Sequence, residues 1–248
     1  MKYTDPSGYW TEDELSATLG SDWRELYFGK GAVFEGRENL LKSLLSEQTT
    51  NPLMLGILPW VMKPAALLTK NGVDLSGIDA IGFRLTGTVG VGAFAGVTGD
   101  ALMNLRTGEF SLYATLEGGI LAGEATSATG GWFSVNNLPS NDAYGGPVLA
   151  HGATAGLYLS SSYEQLWSAP MSIEQSAYEM PNGSAITVGG GEGLGIYRSI
   201  GYGYQVYAMD ANGSRAWPPF DARKALQECW TALRVDWAQT PLPWLPRK

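Results

Sequence analysis

From Phe83 to Val97 the chain alternates with a period of two. Phe83, Leu85, Gly87, Val89, Val91, Ala93, Ala95 and Val97 fall on one side, and Arg84, Thr86, Thr88, Gly90, Gly92, Phe94, Gly96 and Thr98 on the other. That period belongs to an extended strand, whose successive side chains point to opposite faces, and a helix cannot hold it. Arg106-Thr107-Gly108-Glu109 then reads as a hairpin turn. The return arm sets Phe110, Leu112, Ala114 and Leu116 against Ser111, Tyr113, Thr115 and Glu117. Each arm can run about twenty residues, where strands usually have about five or six. Glycine recurs inside both arms, at Gly87, Gly90, Gly92, Gly96, Gly118, Gly119 and Gly123. Such glycines weaken a flat sheet but let a strand turn a barrel corner. The pattern predicts an antiparallel, Gly-rich, barrel-like sheet.

The rest of the chain frames that sheet. Before about Asp74–Ile78 the apolar spacing is helical. Thr11-Glu12-Asp13-Glu14 is a capping box and Gly20 a stop for a first helix. Gly36–Glu47 carries Leu40, Leu41, Leu44 and Leu45 on one face, and Asn51-Pro52 starts a further helix. Beyond the first hairpin, strands are predicted at Trp132–Val135, Val148–Ser161, Ser184–Gly191 and Leu194–Met209, with a turn at Pro181-Asn182-Gly183. Asp221 caps a last helix whose stripe of Leu226, Trp230, Leu233 and Trp237 is expected to pack on the sheet. The tail from Pro241 reads as polyproline II. The predicted organisation is α+β: a helical cap over 11–72, the barrel-like region over 73–215, and a C-terminal helix and Pro-rich tail over 216–248.

Composition narrows the chemistry. The net charge is −8 over 248 residues, which argues against nucleic acid and against an anionic membrane surface as partner. Cys229 is the only cysteine and His151 the only histidine, so neither a disulfide framework nor a multi-histidine or cysteine zinc site can form, and no metal or other cofactor is expected. No apolar segment follows a basic start, so no signal peptide is read. The apolar stretch Leu53–Leu68 is interrupted by Pro59, Lys63 and Pro64 and is read as buried rather than spanning.

Few residues suit catalysis. His151 on a predicted strand is a candidate general base. Arg84, the run Ser160-Ser161-Ser162 and Glu192 follow the order arginine, serines, glutamate of ADP-ribosyltransferases, but position 190 is glycine, so no Glu-x-Glu motif exists. Arg198 completes the candidate set. Gly189–Gly195 has the look of a phosphate loop, yet a strand rather than a helix follows, so a hairpin bend is expected there.

The opening Tyr3-Thr4-Asp5-Pro6-Ser7-Gly8 resembles the exit from the core of Rhs/YD-repeat proteins, marked there by Asp-Pro-x-Gly. The run Tyr27–Leu41 and the Gly-rich region also look like the tails of such proteins. The resemblance assigns 1–10 to the end of the core, with Asp5, Pro6 and Gly8 the remnant of its processing motif. It implies a C-terminal effector or toxin domain, secreted or delivered within a larger bacterial protein. Its implied partners are the core shell, an immunity protein and, for a non-enzymatic action, a membrane. An enzymatic toxin of ADP-ribosyltransferase or hydrolase type and a non-toxic structural or ligand-binding barrel are the alternatives.

Overall fold

A computed structural model describes residues 12–24, 35–36, 38–40, 52–75, 77–168, 183–210, 213–215 and 220–239. The architecture is α+β and mostly one antiparallel sheet. Its long strands are β1 (Ala80–Asn104), β2 (Phe110–Val135), β3 (Gly146–Leu157), β4 (Leu159–Ser168) and β5 (Gly183–Asp210), with a short β6 (Gly213–Arg215). Among the described residues the long helices are α1 (Glu12–Leu19), α2 (Pro52–Lys70) and α3 (Ala222–Gln239). The opening residues that carry Asp5, Pro6 and Gly8, most of the Gly36–Glu47 helix, the Pro181-Asn182 turn, the Leu233 and Trp237 side chains and the Pro-rich tail lie outside the described residues.

β1 pairs with β2, and β2 with β5, along almost their whole lengths, and the three bend together. The bend in β1 is a bulge between Val91 and Ala93, where Gly92 has φ +70°. In β2 it falls at Gly123, whose φ is +136° and whose Cβ, if present, would lie 2.0 Å from the Leu194 carbonyl oxygen. Only glycine meets both conditions. β5 changes partner across its own bend. Residues up to Gly190 pair with β4, and those from Gly193 pair with β3. β3 and β4 pair with each other around Tyr158. The ladders thus run from the first half of β1 through β2, β5, β4 and β3 and back to the second half of β1. No ladder joins the two halves of β1, so the sheet is not closed.

Three local expectations change. Val148–Ser161 is not one strand but a hairpin that reverses at Tyr158, which has φ +70°. Ser184–Gly191 and Leu194–Met209 are one strand, and Gly189–Gly195 is a bend within it rather than a hairpin. The reason is pairing: β2 holds both halves of β5 in one register, so the glycines kink the strand without reversing it. The third concerns α3. Leu226 and Trp230 are 73% and 64% exposed, and the helix meets β3 and β5 on another side, where Ala225 is buried and the Cys229 thiol donates to the Gly201 carbonyl oxygen at 3.6 Å.

Other expectations stand. Gly20, at φ +104°, follows the last turn of α1, and α2 begins at Pro52. Asp221 Oδ1 accepts from the Arg223 and Lys224 amides, both at 3.0 Å, the cap the sequence predicts. Among the described residues, no helix is long and apolar enough to cross a membrane.

Where the helices sit, the sheet is buried on both faces. Leu15, Trp23, Leu58, Val61 and Met62 cover Met103, Phe110, Leu112 and Met209 on the outer face. Leu102, Tyr113, Phe133, Tyr144, Leu138 and Leu166 fill the inner one. α2 also meets the sheet through a bond its own sequence makes available. Pro64 has no N–H for the Trp60 carbonyl four residues back, and that oxygen accepts the Trp132 indole N–H at 2.9 Å instead.

Candidate functional site

Between the helical end and the bends, the inner face of the sheet turns polar. Thr86, Glu117, Thr129, Thr154, Ser162, Glu164 and Tyr197, drawn from all five long strands, converge on one cavity of about 20 Å³, which suits a single water. Beside it lies a buried ion network. Arg84 Nε and Nη2 donate to the two Asp100 carboxylate oxygens at 2.7 and 2.8 Å, and Nη1 donates to Glu164 Oε2 at 2.5 Å. Tyr144 Oη accepts from Arg84 Nη2 and donates to Asp100 Oδ2, and Tyr197 Oη donates to Glu164 Oε1. Arg84 also lies 5.2 Å over the Phe133 ring. This fork geometry is the one in which a guanidinium serves carboxylates best.

Burial works against the Arg84 charge, but Asp100, Tyr144 and Glu164 outweigh it and the net shift is upward. Burial also pushes the Tyr144 and Tyr197 phenols up, reinforced by Asp100 and Glu164 respectively. Glu117 accepts from Thr98 at 3.1 Å and Ser199 at 3.0 Å. Its carboxyl is pushed up by burial and then by the neighbouring Glu164. Smaller hydroxyl bonds tie the other strands in: Thr86 with Thr98, Thr187 with Thr129 and with Ser162, Thr154 with Ser160. Phe94, Leu121 and Ala125, with Tyr197 against them, seal the interior at the bends.

The outer face of the same stretch is the reverse. Leu85, Val89, Val91, Val97, Leu116, Ile120, Leu157, Leu159, Ile186, Val188, Leu194 and Ile196 are all exposed, with Val91 and Leu194 at 77% and 74%. A soluble sheet with one free face presents polar residues on it. Scattered exposed leucines are ordinary, but twelve exposed aliphatic side chains on one face are more than scatter, although Glu124 stands between Val91 and Leu194 and Glu192 lies across Thr126 from Val89.

The four candidate residues do not converge. Arg84 is inside, in the ion network. Glu192 is exposed at the β5 bend, opposite Thr126. Arg198 and His151 face each other across β5 and β3, both half-buried, on the face opposite Tyr197 by strand alternation. The site residues that were not among the sequence candidates are Asp100, Glu117, Glu164, Tyr144 and Tyr197. Asp100 and Glu117 share the face of Arg84 in the period-two pattern, which is the signal that finds them. Glu164 and Tyr144 depend on pairings that the sequence does not encode locally. Among the described residues, no group of three or more His, Cys, Asp or Glu side chains is placed to hold a metal ion. No protein family, curated protein or solved structure matches the chain.

Proposed function

We propose that this chain is a C-terminal effector-type domain of a Rhs/YD-repeat protein, and that it acts without a conventional enzyme site by inserting the bend end of its sheet into a lipid bilayer. The observation that carries the reading is the inverted alternation: polar and charged side chains inside, bare aliphatic ones outside. That distribution is the one a lipid-facing barrel uses, and it wastes apolar surface in water. In this reading the sheet works as a barrel, with the two halves of β1 bridged by Arg84–Asp100 and Thr86–Thr98. Leu85 to Val91 spans six residue steps, about 20 Å of strand. One leaflet's hydrocarbon is about 15 Å, half of a ~30 Å core.

The outer band ends where Arg198 faces His151, on the two strands that α3 packs against. Trp132, Trp60 and Phe83 cluster at the helical limit on the other side, where aromatic rings suit a membrane–water boundary. At the bends the outer face carries Glu124 and Glu192, both exposed. Glu124 pairs with Val91 at the deep end of the band, where a charge on the lipid face is a cost, and the acidic balance of the chain as a whole favours zwitterionic lipid over anionic lipid.

Flotation with phosphatidylcholine vesicles tests the reading, with release of an entrapped dye as the second readout. Co-flotation with release is expected. Protein that stays at the bottom of the gradient, and is harmless when expressed in both cytoplasm and periplasm, would put the appended, non-toxic barrel in its place. Toxicity abolished by a single Arg84, His151, Glu192 or Arg198 alanine variant with unchanged Tm would make the domain an enzyme.

A further inference from the structure

A second surface lies apart from the polar interior and the bends. One face of α2, bordered by Trp132 of β2, forms a groove of about 700 Å³ lined by Gly56, Pro59, Trp60, Lys63, Pro64, Leu67 and Trp132. Its size is that of a small-molecule site. Its walls are fixed rather than loose. The Trp132 indole is held by the Trp60 carbonyl that Pro64 leaves open, and Phe83 packs on Trp60 and on Trp132, with centroids 5.6 and 5.9 Å apart. Among the described residues the lining is apolar except for Lys63, which is exposed. The floor has room: nothing lies within 4 Å of where a Cβ on Gly56 would be.

We propose that this groove binds a single aliphatic chain bearing an anionic head, a long-chain carboxylate, with the chain along the two indoles and the head at Lys63. Charge selects the head. Among the described lining residues Lys63 is the only ionisable one, so a carboxylate gains an ion pair there that a neutral or zwitterionic head does not. Shape selects the chain. Flat indole and proline faces suit an unbranched alkyl segment, and the groove is continuous at Trp132 with the outer apolar face of the sheet. The site does not depend on the bilayer reading, because a monomeric amphiphile can fill it in water.

The test uses dibromostearate below its micelle concentration, read by quenching of tryptophan fluorescence in the full chain. Saturable quenching is expected. Lys63→Gln should raise the half-saturation concentration about tenfold, and Gly56→Leu, which fills the floor, should abolish saturable quenching with Tm unchanged. A brominated lysophosphatidylcholine, which lacks the net charge, should bind wild type no better than the carboxylate binds Lys63→Gln. Quenching that never saturates, or that is the same in wild type, Lys63→Gln and Gly56→Leu, overturns the proposal. Gly56→Leu should still float with phosphatidylcholine vesicles, so loss of the groove and loss of the bilayer contact are separate results.

Discussion

The two ends of the same strands obey opposite rules. Near the helices, β1, β2 and β5 are apolar on both faces and covered on both, by the helices outside and by Phe133, Tyr144 and Leu102 inside. Toward the bends, the inner face holds Arg84, Asp100, Glu117 and Glu164, and the outer face is bare and mostly aliphatic, with Glu124 and Glu192 the exceptions at the bends. One stretch of chain therefore changes environment along its length without changing its period. The helical end hides its apolar surface from water on both faces, while the bend end leaves aliphatic surface that only another apolar phase can satisfy.

That contrast breaks first at the ion network. Arg84→Met leaves Asp100 and Glu164 without their cation and should cost about 3–5 kcal/mol in urea unfolding; a loss below about 1 kcal/mol would mean water already reaches the interior. Phe110→Ala, in the core under the helices, should cost a comparable ~3–5 kcal/mol. Gly123→Ala, forced against the Leu194 carbonyl at the bend, should cost about 1–3 kcal/mol, and an unchanged Tm would show that the bend is not held by that close approach.

A smaller effect has the opposite sign. The Glu117 carboxyl is pushed up by burial and then by Glu164, so between its ordinary and its folded pKa the native state holds more proton than the unfolded chain. Stability therefore falls as pH rises through that window. Glu117→Gln should raise Tm at pH 7 and lose the advantage below 4.5, the ordinary value; a lower Tm at pH 7 would show that the carboxylate is stabilising. Least affected should be Trp230→Ala on the exposed side of α3, within about 0.5 kcal/mol of wild type.

The strands, the 106–109 turn and the bends were legible because period two and glycine placement are local signals. The helix starts at Glu12 and Pro52 were legible for the same reason, while the caps read at Thr11 and Asn51 lie outside the described residues. The apolar row Leu85, Val89, Val91 and Val97 was also plain in the sequence, but not its side: an alternating strand says that two faces differ, not which one meets solvent. Only the convergence of Thr86, Glu164 and Tyr197 on one cavity assigns it. Glu164 joins Arg84 across eighty positions of sequence, and no spacing rule reaches that far. Leu226 and Trp230 of the α3 stripe misled because amphipathic spacing names an apolar side without naming a partner for it.

The claim that the bare face meets lipid is tested most directly by the partition constant into phosphatidylcholine vesicles of Ile196→Lys against Leu226→Lys. Both leucine and isoleucine are exposed, at 73% and 71%, so both variants should fold like wild type in water. A lysine on a lipid-facing strand costs up to about 2–4 kcal/mol, so Ile196→Lys should partition at least about tenfold less well, with Leu226→Lys close to wild type. Equal partitioning of the two variants would contradict the account.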